Sequence, residues 1–172
     1  MVCTMNDRCL GIITRENKKS YTYGNRRYAP KTTQGKDWKL CRFRFHQSTS
    51  LSLNIHHRLN KLMLDCFPDD HSQEDSSWFY SPAHHFWIQN DKKEIIAYMR
   101  YDGETLWNIC TAFPYRRKGF MNLLLDYFFS VIPQRPIYLY VLKKNKVARR
   151  AYTRYGFRTV GQEWDTLRMS FS

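Results

Sequence analysis

Apolar and polar positions follow two different periods along this chain, and each change of period marks a new element. From Trp38 onward Cys41, Phe43 and Phe45 alternate with Arg42 and Arg44, the two-residue repeat of a half-buried strand. Ile55, Leu59, Leu62, Met63 and Cys66 then recur at three- and four-residue spacing, behind Ser50 and Ser52 as candidate N-caps and ahead of a closing Pro68. Phe86-Trp87-Ile88 and Ile95 to Met99 flank the polar run Asn90-Asp91-Lys92-Lys93, and Asp102-Gly103 turns the chain into Thr105 to Cys110. An Asp-Gly pair between apolar runs is a strong hairpin signal, so this stretch predicts a three-stranded antiparallel meander whose third strand enters Tyr115 to Gly119. Next comes a helix with Phe120, Leu123, Leu124, Phe128 and Val131 on one face, ended by Pro133. Ile137, Leu139 and Val141 alternate as a strand, and Val147, Ala148, Ala151, Tyr152 and Tyr155 line one side of a helix that Gly156 suits as a C-terminal cap. Leu167, Met169 and Phe171 close the chain as a last strand. The fold class is therefore mixed α/β (α+β).

Residues 1–37 show no sustained period and collect turn and charge signals, so they read as a basic N-terminal extension to a domain spanning 38–172. Within the extension, only Cys9 to Ile13 has the composition of a short strand.

Composition narrows the class. With 172 residues, 42% hydrophobic and 16% aromatic, the chain supports a full core and is neither disordered nor a minimal disulfide scaffold. The richest apolar stretch, Gly119 to Pro133, is broken by Asn122 and Asp126 and falls short of the ~20 residues of a spanning helix. The first thirty residues carry charges and no apolar signal core, so an intracellular, cytoplasmic protein without membrane association is expected. Five scattered cysteines with no C-x-x-C pair predict reduced thiols and no zinc site. Cys41, Cys66 and Cys110 sit in apolar-periodic segments and read as small core residues.

The net charge of +13 is unevenly spread. Residues 1–50 carry 11 basic and 3 acidic groups, residues 51–112 carry 5 and 9, and residues 113–172 carry 12 and 3. Such segregation invites partners of opposite sign at different parts of the surface. Part of the C-terminal excess, Arg116-Arg117-Lys118-Gly119, stands between a strand and a helix. A helix start offers unpaired N–H donors and partial positive charge, and glycine lets a ligand approach the backbone, so the junction suits a pyrophosphate. Twenty-six residues after Gly119 comes Asn145-x-x-Ala148-x-x-Ala151-Tyr152-x-x-Tyr155-Gly156-Phe157.

Arg116-x-x-Gly119 and Asn145 to Phe157, set in register with strand, helix, strand and helix, resemble the acetyl-CoA-binding half of the GNAT superfamily of N-acetyltransferases. The likeness extends from about Trp38 to Ser172. It implies a GNAT-like mixed central sheet in the order β-α-(α)-β-β-β-α-β-α-β, the bracketed helix being optional. It implies acetyl-CoA as cosubstrate, its pantetheine arm paired with the backbone of Ile109, Cys110 and Thr111. The pyrophosphate would meet the amides from Arg117 through Gly119, Phe120 and Met121 to Asn122, with side-chain charge from Arg116, Arg117 and Lys118. Asn145 would bond the amide arm. Tyr152 would act as general acid toward the departing thiolate, a role chemically open to a phenol of pKa near 10 facing a thiol near 8.5. Met121 departs from the family, which usually has a small residue there. No general base is marked by a motif; Glu104, His84, His85 and Asp165 are candidates. Metal binding is not indicated, because His56-His57 and His84-His85 are adjacent pairs with no third ligand at suitable spacing.

In this fold the acceptor would approach past Asp69, Asp70, Glu74, Asp75, Glu163 and Asp165, which favours a cationic amine such as a polyamine, a lysine side chain, a protein N-terminus or an aminoglycoside. Trp78, Phe79, Tyr80 and Trp164 are candidate pocket walls. The alternative is a catalytically weakened module of the same fold that binds nucleic acid or an acidic partner through the N-terminal arm and Arg149, Arg150, Arg154 and Arg158.

Overall fold

In the computed structural model of the chain, residues 43–68 and 82–172 are described, together with the backbone of five short strands in the N-terminal part. Those five are β1 (Cys9–Leu10), β2 (Thr14–Arg15), β3 (Lys18–Lys19), β4 (Tyr21–Tyr23) and β5 (Arg26–Tyr28). The main domain continues with β6 (Phe43–Ser48), α1 (Leu53–Cys66), β7 (His84–Asn90), β8 (Ile95–Tyr101) and β9 (Thr105–Thr111). After a 3₁₀ turn at Phe113–Tyr115 come α2 (Phe120–Val131), β10 (Ile137–Leu142), α3 (Lys146–Tyr155), β11 (Arg158–Glu163) and β12 (Thr166–Phe171).

Eight strands form one sheet in the order β1-β6-β7-β8-β9-β10-β12-β11, and its single parallel neighbour pair is β9 with β10. The meander is as the turns predict. At its second hairpin Asp102 accepts from the backbone N–H of Glu104 and Thr105, an Asx turn that fixes the register. Ser52 caps α1, its hydroxyl accepting from Ile55 N. Residues 38–42, which the alternation also places near the first strand, lie outside the described residues, as do Asp69, Asp70, Glu74, Asp75, Trp78, Phe79 and Tyr80.

Each face of the sheet has its own core. α2 and α3 cover one face with Phe86, Ile96, Leu106, Leu124, Phe128, Ile137, Leu139 and Phe157, all buried. α1 covers part of the other through Leu59, Leu62 and Met63 against Trp87, Tyr98 and Cys110. Burying an aliphatic or aromatic side chain contributes roughly 1.5–3 kcal/mol, so the larger core is what holds both C-terminal helices on the sheet.

Three local expectations change. β11 is a strand the apolar pattern does not reveal, because it is the sheet edge and five of its six residues are exposed. Val147 does not join the inner face of α3; it is 78% exposed, one position ahead of the partly buried Ala148 that packs on the core with Tyr152. The third meander strand ends at Thr111, and the 3₁₀ turn separates it from the basic junction. Among the described residues no helix is long and apolar enough to cross a membrane.

Candidate active site

The site begins with a break in β9. Tyr98 pairs with Cys110 and Arg100 with Trp107, so Asn108 and Ile109 together oppose Met99, and Asn108 has φ of 54°. This is a β-bulge, and Asn is among the few residues that accept the left-handed region at low cost. A bulge bends its strand and raises its twist. Accordingly β9 and β10 pair only at Thr105 and Leu106, while β10 goes on to pair with β12 along its whole length. Beyond Leu106 the two parallel strands diverge into a cleft.

The register shows which backbone groups face that cleft. Ala97 and Thr111 are partners, yet the bond at this point runs from Ala112 N to Ile96 O. Thr111 is therefore at a non-hydrogen-bonded position, and its own N–H and C=O point away from β8, toward the open side. A cosubstrate arm bearing amides can pair there as an added strand would. The Thr111 carbonyl accepts from Arg116 Nε at 3.1 Å, which ties the basic junction to the end of the strand.

At the junction Arg117 has φ of 61° and Gly119, the residue preceding α2, has φ of 87°. No side chain caps α2 and its first turn holds no acid. A Cβ placed on Gly119 would meet nothing within 4 Å, so the glycine is required by its backbone angle and the space over the helix end stays open. The N–H groups of Phe120, Met121 and Asn122 are left for an anion. Arg116 lies over the Phe113 ring at 5.3 Å and Lys118 over Tyr115 at 5.5 Å, keeping both cations beside the helix start. Met121, the departure from the family pattern, packs its side chain against the core rather than over the helix end.

α3 brings Tyr152 to the cleft. Tyr155 donates to Asp126 of α2 at 2.7 Å, Gly156 ends the helix at φ of 128°, and a Cβ there would stand 2.9 Å from the Phe171 ring. Tyr152 itself is buried, edge-on to Phe157 at 6.0 Å, and its hydroxyl has no hydrogen-bond partner among the described residues. Burial and the nearby Cys110 raise its pKa above the usual tyrosine value, so it remains a proton donor. The ring is enclosed while the hydroxyl keeps some solvent access, so a ligand atom can reach it. Asn145 caps α3, its Oδ1 accepting from Ala148 N at 3.1 Å, which leaves its amide N–H groups for a ligand.

The general-base candidates are not brought together. His85 is buried and its Nδ1 stands 2.8 Å from the Tyr98 hydroxyl; desolvation, with smaller contributions from Arg100, His84 and His56, lowers its pKa to about 4. Glu104 forms an exposed ion pair with Arg168 at 3.6 Å, and His84 contacts Gln47 at 3.4 Å two strands from β9. Asp165 stands in the β11–β12 turn, its carbonyl accepting from Lys143 N. His85 has a stability consequence. Its folded pKa lies below the unfolded value near 6.5, so the unfolded chain takes the proton first, and stability present above that pH falls as the pH drops from 6.5 toward 4. About 2 kcal/mol of this loss is expected by pH 5. Urea midpoints at pH 7 and pH 5 should converge in His85→Gln relative to the unsubstituted chain; equal spacing in both would exclude this role for His85.

Two residues of the site have no motif. Leu139 and Val141 face the α2–α3 core, so Tyr140 between them faces the other way, and Trp107 lies opposite Leu106 in the same manner. Trp107 and Tyr140 stack across the opening strands with centroids 5.7 Å apart and planes at 17°, and Trp107 Nε1 donates to Asp102 at 2.6 Å. Their alternation with buried neighbours was the available signal. Trp164, a candidate wall, is instead 91% exposed in the β11–β12 turn. On α3, Lys146, Arg149, Arg150 and Arg154 line a groove of about 480 Å³ with Thr159 of β11 and Met169 of β12. No group of three or more potential metal ligands occurs among the described residues.

These features have parallels in known proteins. The family model described as acetyltransferase (GNAT) family matches residues 53–157. No curated protein matches the sequence. Among solved structures, the ribosomal-protein-S18-alanine N-acetyltransferase from Escherichia coli is 18% identical with a TM-score of 0.61, covering 74% of this chain and 92% of its own. The spermidine N-acetyltransferase from Vibrio cholerae, in complex with CoA and spermine, is 19% identical with a TM-score of 0.56, covering 74% and 94%. An acyl-CoA N-acyltransferase from Pseudomonas aeruginosa is 17% identical with a TM-score of 0.62, covering 76% and 99%. At these identities the structural likeness speaks for the fold, whereas the family match spans more than half of the chain and takes in the bulged strand, the basic junction and Tyr152: the chain belongs to the GNAT family of acetyltransferases.

Proposed function

We propose that this chain transfers the acetyl group of acetyl-CoA to a cationic primary amine by direct attack, with Tyr152 as general acid. The observation that carries the reading is the diverging β9–β10 pair, which leaves the Thr111 edge open between the α2 amides and the unpartnered Tyr152 hydroxyl. The acetyl thioester supplies an electrophilic carbonyl and a thiolate leaving group. Backbone N–H groups beside the Asn108 bulge are suited to hold the developing oxyanion, and Arg116, Arg117, Lys118 and the α2 amides to hold the pyrophosphate. Asn145 orients the amide arm with its free N–H groups. Tyr152 donates its proton to the leaving sulfur, and its raised pKa keeps that proton in place until the thiolate forms.

The amine reading rests on the stacked Trp107–Tyr140 pair. An exposed aromatic face next to a carboxylate attracts an ammonium group by cation–π and Coulomb interaction, worth roughly 0.5–2 kcal/mol at such a site. The ribosomal-protein-S18-alanine N-acetyltransferase and the spermidine N-acetyltransferase among the similar structures are consistent with this class of acceptor. Calorimetric titration with acetyl-CoA, followed by thiol release over a panel of polyamines and lysine or N-terminal peptides, tests the proposal. Trp107→Ala should raise KM for the best amine about fivefold and leave KM for acetyl-CoA unchanged. No acetyl-CoA binding at millimolar concentration would refute the function, and an unchanged amine KM would remove Trp107 from the acceptor site.

A further inference from the structure

Acetyl transfer as described has no use for the four cations on α3. Lys146, Arg149, Arg150 and Arg154 line the groove of about 480 Å³ that runs between α3 and the β12–β11 edge of the sheet. The acetyl-CoA cleft opens elsewhere. Tyr155 bonds Asp126 of α2 and stacks on Phe129 with centroids 5.7 Å apart, whereas Lys146 and Thr153 stand roughly half a turn around the helix from Tyr155. On the sheet side the groove meets Thr159 and Met169, partners across β11 and β12, and β10 separates them from the opening beside β9.

The cations are crowded and uncompensated. Lys146, Arg150 and Arg154 follow one another at four-residue spacing, and Lys146 and Arg149 at three, so like charges face each other along α3. Lys146 also opens the helix, where the positive end of the dipole opposes a cation and no acid stands in the first turn. Among the described residues none of the four pairs with a carboxylate. Arg149 donates to the Lys143 carbonyl at 3.0 Å, which anchors its guanidinium on the helix. Such crowding disfavours the bare helix and is relieved by an anion in the groove.

The rest of the lining selects the anion. Thr153 and Thr159 are exposed and supply hydroxyls, Met169 is buried, and no aromatic ring borders the groove. A protein partner is held through aromatic or apolar anchors in pockets, and a nucleic acid base through stacking on rings; the groove offers neither. A phosphate backbone needs only cations and hydroxyls at intervals. From Lys146 to Arg154 the helix rises about 12 Å, which accompanies roughly three phosphates of one strand. We propose that this groove is a second anion site, holding the phosphodiester backbone of a nucleic acid without reading its sequence. Bound there, the strand leaves the cleft beside β9 open, and the site requires neither Tyr152 chemistry nor a particular amine.

Fluorescence anisotropy of the full chain with a labelled single-stranded RNA and a duplex DNA, each in two unrelated sequences, tests the site. Affinity should not depend on sequence and should fall between about 50 and 200 mM salt with a log–log slope near −3, as about four phosphate contacts require. The tighter of the two ligands identifies the source of the backbone. Arg150→Glu combined with Arg154→Glu should weaken binding by more than about tenfold and bring the slope to about −1.5. Lys61→Glu with Lys92→Glu changes the net charge equally at exposed positions off α3, and should leave the affinity within about threefold. Saturating acetyl-CoA should not displace the strand.

The inference is overturned if the unsubstituted chain binds neither ligand at about 50 mM salt, or if the two double variants lose affinity equally. It is equally overturned if polyglutamate of matched charge competes as well as RNA, which would mark an acidic protein partner, or if acetyl-CoA releases the strand, which would assign the groove to the cosubstrate. The salt slope and the acetyl-CoA competition need no substitution, so they decide the matter even where a variant fails to fold. Loss of acetyl-CoA binding alone would count against the acetyl-transfer proposal and leave this site in place.

Discussion

Tyr152→Phe should lower kcat by about 10²-fold or more while the acetyl-CoA dissociation constant stays within about threefold. The phenylalanine keeps the ring against Phe157 and keeps the α2–α3 core filled, so the folded state loses little. What it removes is the Tyr152 hydroxyl, which makes no hydrogen bond among the described residues. A positioned proton donor contributes typically 10²–10⁴-fold when the leaving group departs as an anion. The pH profile separates this role from a packing role. With the acid gone, the rate should come to depend on the basicity of the departing thiol, and pantetheine analogues with more acidic thiols should recover activity. Equal losses in kcat and in acetyl-CoA affinity would instead mark Tyr152 as a structural residue of α3.

Gly119→Val should weaken acetyl-CoA binding by more than tenfold and lower Tm by about 5 °C. Space does not forbid the side chain, since a Cβ at this position meets nothing within 4 Å. The backbone does: at φ of 87° a β-branched residue is strained, and left-handed backbone costs an L-residue roughly 1–2 kcal/mol. Relaxing that strain rotates the first peptide planes of α2, and the N–H groups proposed for the pyrophosphate turn from their common direction. The Tm loss follows from the strain alone, at a few degrees per kcal/mol for a chain of this size. An affinity loss without a Tm loss would mean that the valine side chain blocks the ligand directly. A Tm loss with unchanged affinity would place the pyrophosphate elsewhere.

Most of the secondary structure is legible before folding because its causes are local. Ser52 caps α1, Asp102 closes a hairpin, Asn145 caps α3, and Gly156 ends it, each by a bond or a backbone angle within a few residues. The helix-facing residues are equally legible, since a 3.6-residue repeat states which side will be buried. Edges are different. β11 carries no apolar alternation because it buries almost nothing, and Val147 fits the repeat but falls at the margin of the stripe where α3 meets solvent. Apolar pattern reports burial, and where a strand or a turn is not buried the pattern is silent.

The sequence by itself determined the order of elements, the basic strand–helix junction with its Gly119, and the spacing that puts Asn145 and Tyr152 on the helix that follows. These depend on neighbours in the chain. The tertiary structure alone decided where β9 and β10 part, that Thr111 turns its amide and carbonyl to the opening, that Met121 points inward, and that Trp107 meets Tyr140. It also brought the end of α1, through Cys66, and Arg116 to the same Thr111 carbonyl, a convergence with no trace in spacing or composition. The reason is geometric: a one-residue bulge at Asn108 resets which face every later side chain of the strand occupies, and the consequences appear only on neighbouring strands and helices that lie far away in the chain.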